Sequence, residues 1–393
     1  MAQTVIDGVT LVPGGGRPVI PHAAVVLDAD GVVVEIGEAG TPGDLLLVPG
    51  AVDLHLDNLV QRRRPRATVS LDHEAVISVL DAECAAAGIA TVCIAARCED
   101  SPRKGISIDD AAVLAAVLES LGPVLCCDWR IHARVELTDD AGVESLETVL
   151  SKSSRVSLIS MIETSAQRSR FGSLAETRAF YAQDWGISET EVEDVFNVDP
   201  AALSLTAERR AAVASLATER GIALASHDDR TPEHVQQAFD LGARVAEFPL
   251  TMEAARHAHE LAMHVVLGAP NAIRGRSTSS GNILAGAAVA AGVCDVLCSD
   301  YLPSSLQTAP HVLADQGDAP LATAIDLISG NPAAVLGLAP VAIEVGRPLT
   351  ASLRQFQPGR GDATSHVGVA LWRAGRLVFG RDSHQFGIAL TTA

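Results

Sequence analysis

Leu47-Val48-Pro49-Gly50-Ala51-Val52-Asp53-Leu54-His55-Leu56-Asp57-Asn58 is an apolar run that ends in acid and imidazole side chains. A run that is apolar at successive positions has the pattern of a parallel strand buried on both faces. In an extended segment residues two apart point the same way, so His55 and Asp57 can grip one ligand together. Seven further runs of this texture follow, at 90–96, 124–135, 156–161, 222–226, 244–248, 264–268 and 295–299. Stretches with helical spacing lie between them, at 73–87, 109–121, 206–220 and 232–241. Gly88, Gly221, Gly242 and Gly292 stand where those helices should stop before the next strand. Eight such repeats predict an α/β fold, a (β/α)8 TIM barrel over residues 50–340.

The two chain ends read differently. Short apolar runs at 4–6, 10–12, 23–27 and 32–36 are separated by Pro13-Gly14-Gly15-Gly16, Asp28-Ala29-Asp30-Gly31 and Pro42-Gly43-Asp44. The same texture returns at 367–372 and 376–379. Turn-bounded strands at both ends predict a small β-sandwich domain built from 1–49 and 341–393. A chain of 393 residues has room for a barrel of about 250 residues and such a companion.

Composition narrows the partners. A net charge of −19 and an aromatic content of 3% argue against nucleic acid and against an anionic membrane surface. A small-molecule substrate is expected instead, and an anionic, phosphorylated one fits if the pocket itself is basic. Self-association into a homo-oligomer stays open. The N-terminus lacks a basic and apolar leader pattern, and the apolar stretch 283–296 is broken by glycine and Asp295, so a soluble, cytoplasmic protein is expected. The seven cysteines contain no Cys-x-x-Cys pair and read as small buried hydrophobes.

The ends of the strand-like runs hold the chemistry. The first ends in His55 and Asp57, and the third contains His132, Arg134 and Glu136. The fourth ends in Glu163, the fifth in His227-Asp228-Asp229, the sixth in Glu247 and the eighth in Asp300. A barrel gathers the C-terminal ends of its strands at one mouth, where clustered carboxylates repel unless cations neutralise them. Mixed imidazole and carboxylate donors suit one or two divalent ions, zinc first, with manganese or iron as alternatives, and a bound water acidified for attack. His257, His259 and His264 read as a solvated helix surface, while His22, His311, His366 and His384 fall in expected loops.

In chain order these segments resemble the amidohydrolase superfamily, and within it the PhnM branch, the α-D-ribose 1-methylphosphonate 5-triphosphate diphosphatases. The resemblance rests on Asp53-Leu54-His55-Leu56-Asp57-Asn58-Leu59, His132-Ala133-Arg134-Val135-Glu136, Ser226-His227-Asp228-Asp229 and Glu247-Phe248-Pro249. It continues through Gly268-Ala269-Pro270-Asn271, Arg274-Gly275, Ser280-Gly281-Asn282 and Ser299-Asp300-Tyr301-Leu302-Pro303. It implies metal ligands at His55, Asp57, His227 and Asp300, with Glu136 as the acid some members use in place of a carboxylated lysine. Asp300 would also accept the proton of the attacking water. Where the branch usually shows Asp-His-Thr-Pro-Gly-Gln, this chain has Ile162-Glu163-Thr164-Ser165-Ala166-Gln167, which adds Glu163 as a candidate oxygen ligand. His132, Arg134, Asp228, Asn271, Arg274 and Asn282 are the candidates for substrate contact.

Three functional readings follow. The first is hydrolysis of a phosphoanhydride in a phosphorylated ribose phosphonate with release of diphosphate; Arg62, Arg63, Arg64, Arg66, Arg134, Arg274 and Arg276 supply guanidinium groups suited to phosphate. The second is cleavage of an amide or cyclic C–N bond. The third, a degenerate barrel without activity, draws only on Glu163.

Overall fold

All six residues of the strand Ala51–Leu56 are buried, the outcome expected of a strand covered on both faces. The structure, a computed structural model, describes residues 3–39, 43–66, 68–165, 168–171, 173–196, 200–279, 281–357 and 365–381. Four strands precede the barrel: β1 (Thr4–Leu11), β2 (Ile20–Leu27), β3 (Val33–Glu38) and β4 (Leu45–Pro49). Eight build it: β5 (Ala51–Leu56), β6 (Ile89–Cys98), β7 (Asp128–Glu136), β8 (Val156–Ile162), β9 (Ala223–His227), β10 (Val245–Glu247), β11 (His264–Gly268) and β12 (Val296–Cys298). Three follow: β13 (Ala351–Gln357), β14 (Ser365–Arg373) and β15 (Arg376–Gly380).

Strands β5 to β12 lie side by side in chain order, each parallel to the next. The ring is closed at its C-terminal rim, where Asp300 N donates to His55 O at 2.8 Å and Asp57 N to Asp300 O at 2.5 Å. Asp53 reinforces the seam: its carboxylate accepts Ser299 N at 3.0 Å and Ser299 Oγ at 2.5 Å. Lower down, residues 327 and 328 wedge between β12 and β5, taking Leu297 N and Val52 N at 2.8 Å each, so the barrel is nearly rather than fully closed.

The remaining strands form one sheet in the order β15-β14-β13-β4-β1-β2-β3, antiparallel except for β1 beside β4. It bends over its own core of Ile6, Leu11, Leu47, Leu353 and Trp372 until its two ends meet. At that meeting a Cβ on Gly31 would lie 1.9 Å from Gly375 O. Both chain ends thus build the wing together.

The apolar run 47–54 turns out to hold parts of two strands in two sheets. β4 belongs to the wing and β5 to the barrel, and they part at Gly50, where a Cβ would stand 2.8 Å from that of Ala90. Hydropathy is blind to the break because both strands are buried. The third run begins late, at Asp128, after a tight turn over 122–124. Between β8 and β9 the chain forms three helices, Leu174–Trp185, Glu189–Phe196 and Pro200–Arg220, where one had been expected. His22 lies on β2, His264 on β11, His366 on β14 and His311 in the helix Ser305–Gln316, so none of these four matches its expected loop or helix surface. His384, Ala166, Gln167 and Ser280 lie outside the described residues.

One buried carboxylate pins the helix His73–Ala86 to β7. Asp81 accepts Cys126 N at 2.8 Å, Cys127 N at 3.0 Å and the Trp129 indole N–H at 2.8 Å. Asp81→Ala leaves three donors without their acceptor and is expected to cost about 3 kcal/mol, at about 1 kcal/mol each. Urea unfolding measures it, and a loss below about 1 kcal/mol would show that water replaces the carboxylate. The seven cysteines are unpaired, and all but Cys126 are buried.

Candidate metal centre and active-site cleft

Glu247, the last residue of β10, sits among three imidazoles. Its Oε1 pairs with His55 Nδ1 at 2.8 Å, and its Oε2 accepts Ser160 Oγ at 2.9 Å. The Nε2 atoms of His132 and His227 stand 3.5 and 3.8 Å from Oε2. The four come from barrel strands one, three, five and six, all within 8% exposure, so the ring is shielded from bulk water. Backbone geometry aims two of them. Asp228 and Phe248, each just past a strand end, have φ of 58° and 51°, as does Asp300 at 55°. Non-glycine residues rarely take this left-handed conformation, and its cost of about 1–3 kcal/mol is tolerated mainly where function fixes the backbone.

Electrostatics couple the ring. Burial alone would raise the Glu247 carboxyl, but the imidazoles of His132, His55 and His227 hold it well below the ordinary carboxylate range. Burial opposes charge on His55, yet Glu247 and Asp57 push it up to about 10; burial takes His132 down to about 3. Glu247 and the imidazoles thus stabilise opposite charges on one another.

The donor set fits a divalent metal. Ligand-capable atoms of His55, His132 and Glu247 lie within 4.8 Å of one another. His132 Nδ1 and both ring nitrogens of His227 are buried without a hydrogen-bond partner. His227 Nδ1 stands 3.1 Å from Asp228 Oδ2, whose carboxyl it holds below the usual range against burial. Two or three imidazoles with one carboxylate suit zinc, manganese or iron.

The expected site residues sort differently on the structure. His55 and His227 are in the ring, joined by His132, a candidate substrate contact in the sequence that is fully buried beside Ser160. Asp57 faces the ring at 3.9 Å from His55 Nε2, yet its carboxylate is held by Arg97, at 3.1 and 2.6 Å, and by Arg134. Burial would raise that carboxyl; the two guanidiniums bring it well below its usual range. Asp300 stands at the seam, raised by burial against the pull of His55 and Arg134.

Glu136 and Glu163 are drawn away from the metal-capable group. Glu136 accepts both the amide and the hydroxyl of Thr138 and of Thr164, at 2.6–3.2 Å. Glu163 pairs with Arg210 at 2.8 Å and Arg168 at 3.4 Å. The acid of the ring is Glu247, a strand-end residue that the sequence displayed but that lone strand-end position could not rank above Glu136. Glu163 in place of the branch's usual histidine leaves the group of three imidazoles and Glu247 intact, which takes away the one feature behind the non-enzymatic reading.

A cleft of about 670 Å³ opens above the ring. Asn271 and Asn282 line it but brace loops: Asn271 donates to Ile283 O at 3.0 Å and accepts Ala285 N at 3.0 Å, and Asn282 donates to Arg170 O at 2.9 Å. Arg274 lines the cleft; of the run 62–66 only Arg64 does, since Arg62 pairs with Glu83 and Arg63 with Asp110.

No protein-family model matches the chain. The chain is 32% identical over 339 residues to the α-D-ribose 1-methylphosphonate 5-triphosphate diphosphatase of Escherichia coli strain K12, spanning 85% of this chain and 88% of that protein. Among solved structures, N-acetyl-D-glucosamine-6-phosphate deacetylase from Mycobacterium smegmatis superposes with a TM-score of 0.59 at 16% identity, covering 96% of this chain and 100% of the other. D-hydantoinase from Bacillus sp. AR9 gives 0.57 at 14% identity, over 96% and 95% of the two chains. A dihydroorotase gives 0.57 at 12%, over 97% and 98%. With the barrel, the wing and the ring in place, the chain belongs to the amidohydrolase superfamily of metal-dependent hydrolases, as a divergent member of its PhnM-like branch.

Proposed function

We propose that this enzyme hydrolyses a phosphoanhydride in a phosphorylated ribose phosphonate and releases diphosphate. The observation that carries the reading is a wall of guanidiniums in the cleft. Arg97, Arg134 and Arg168 line it while paired to Asp57, Glu163 or Asp229. Arg64, Arg170 and Arg274 line it with no carboxylate within ion-pair distance among the described residues. Arg170 lies over the rings of Phe171, Phe180 and Tyr181 at 5.2, 4.9 and 5.3 Å. In a chain of net charge −19, cations left unpaired in a cleft suit a polyanionic ligand. The similarity to the Escherichia coli diphosphatase adds weight to phosphate over a neutral amide.

His55, His132, His227 and Glu247 would hold a divalent cation, with Asp57 and Asp300 at its edge. When bound, the metal acidifies a water and polarises the electrophile. Asp300 accepts the proton of the attacking water; its raised carboxyl is suited to hold it. The water oxygen bonds to phosphorus, the anhydride P–O bond breaks, and diphosphate departs with the bonding electrons. Arg134, fixed by Asp57, and the unpaired arginines meet the charge that gathers on the phosphoryl oxygens.

Arg274→Met and Arg170→Met should each lower kcat/KM by about 10- to 100-fold, mostly through KM, as loss of a charge-assisted phosphate contact does. Steady-state assays of diphosphate release check this. Ammonia or carboxylic acid release from an amide or cyclic imide panel, with no diphosphate from ribose triphosphate phosphonates, would transfer the activity to C–N chemistry.

A further inference from the structure

The face of β13 and β14 that packs on the helix Ser305–Gln316 holds a charge the active site does not use. Arg354 on β13 is completely buried. Its Nη1 donates to Gln307 O at 3.1 Å and its Nε to Ser352 Oγ at 3.3 Å, while Nη2 has no partner. Among the described residues no carboxylate acts on it: burial is the one influence on its pKa, taking it down to about 10, and Asp315 acts on His366 instead.

Two more buried side-chain nitrogens share this seam. Gln307 Nε2 and His311 Nε2 are buried without a hydrogen-bond partner, and the residues are 6% and 7% exposed. Four apart on one helix, they lie on the same face. The His311 ring stacks on that of His366 from β14 at 3.9 Å, and both imidazoles feel the Arg354 charge, which helps depress them to about 3 and 4 after burial. The C-terminal end of the helix His73–Ala86 closes the other side. A Cβ on Gly88 would lie 2.4 Å from Ser352 Oγ and 3.3 Å from Arg354 Nη2.

A guanidinium does not shed its proton, and a buried charge without a counter-charge is strongly destabilising. Water would satisfy the orphan N–H groups and leave the charge uncompensated. The helix end offers partial negative charge but no hydrogen bond to Nη2. We propose that the seam between wing and barrel binds a small monovalent anion of the halide class, held by Arg354 Nη2 with Gln307 Nε2 and His311 Nε2. The crowding by Gly88 and Ser352 favours a single atom over an oxyanion. The anion joins the wing to the helix that follows Asp300, and its site is separate from the metal ring.

The test compares thermal unfolding of the full chain in chloride and in gluconate at one ionic strength. Chloride should raise the melting temperature saturably, by about 2 °C at tenfold excess over its dissociation constant. Arg354→Met should remove that response and Gln307→Leu should weaken it. Crystals grown in bromide should show an anomalous peak beside Arg354 Nη2. Equal melting in both salts, or a bromide map without that peak, overturns the proposal, as does a full chloride response in a folded Arg354→Met. If Arg354→Met does not fold, the bromide map and Gln307→Leu decide.

Discussion

Glu247→Gln is expected to lower kcat/KM by about a thousandfold or more and to strip the chain of its divalent metal in the same step. The substitution keeps the shape and removes the charge. Among the described residues Glu247 is the one carboxylate that pairs with His55, His132 and His227 together, and it is buried at 1% exposure. Without that anion the three imidazoles would hold a dication with only Asp57 and Asp300, at its edge, to offset the charge. Elemental analysis of purified protein beside its turnover number reads both effects, and circular dichroism checks the fold. Full metal content together with activity above a tenth of the parent would remove Glu247 from the centre.

Asp300→Asn should separate chemistry from binding. Turnover should fall by about 100- to 10,000-fold, the range for loss of a general base, while metal content and fold are retained. Retention is expected for a structural reason. Asp300 has φ of 55°, and its backbone makes both hydrogen bonds of the barrel seam to His55 and Asp57. Asparagine tolerates that left-handed backbone almost as well as aspartate, so the seam survives. A metal-free Asp300→Asn protein would recast Asp300 as chiefly a ligand, and an active one would end its role as base.

How much of this was legible beforehand depends on the residue. The barrel was, because strands buried on both faces print as successive apolar positions and the helices between them print a different period. His55 and His227 were legible as strand-end imidazoles. The choice of acid was not: Glu136, Glu163 and Glu247 all follow apolar runs, and only side-chain geometry shows that Thr138 and Thr164 engage the first and Arg168 and Arg210 the second. The arginines repeat the lesson. Arg134 and Arg274 look alike in sequence, but Asp57 claims Arg134 and leaves Arg274 to the cleft. Partnering between residues far apart in the chain has no local signature. The break at Gly50 was hidden for a simpler reason, since two strands of different sheets shared one unbroken apolar stretch.

A cation seated by Glu247 and its imidazoles can be seen in a crystal. Anomalous diffraction at the manganese or zinc edge, on crystals of the wild-type chain loaded with that metal, addresses it directly. A peak ligated by Glu247 and at least two of His55, His132 and His227 is expected, lost in Glu247→Gln. A fully active, metal-loaded crystal with its peak elsewhere, or with none, would contradict it.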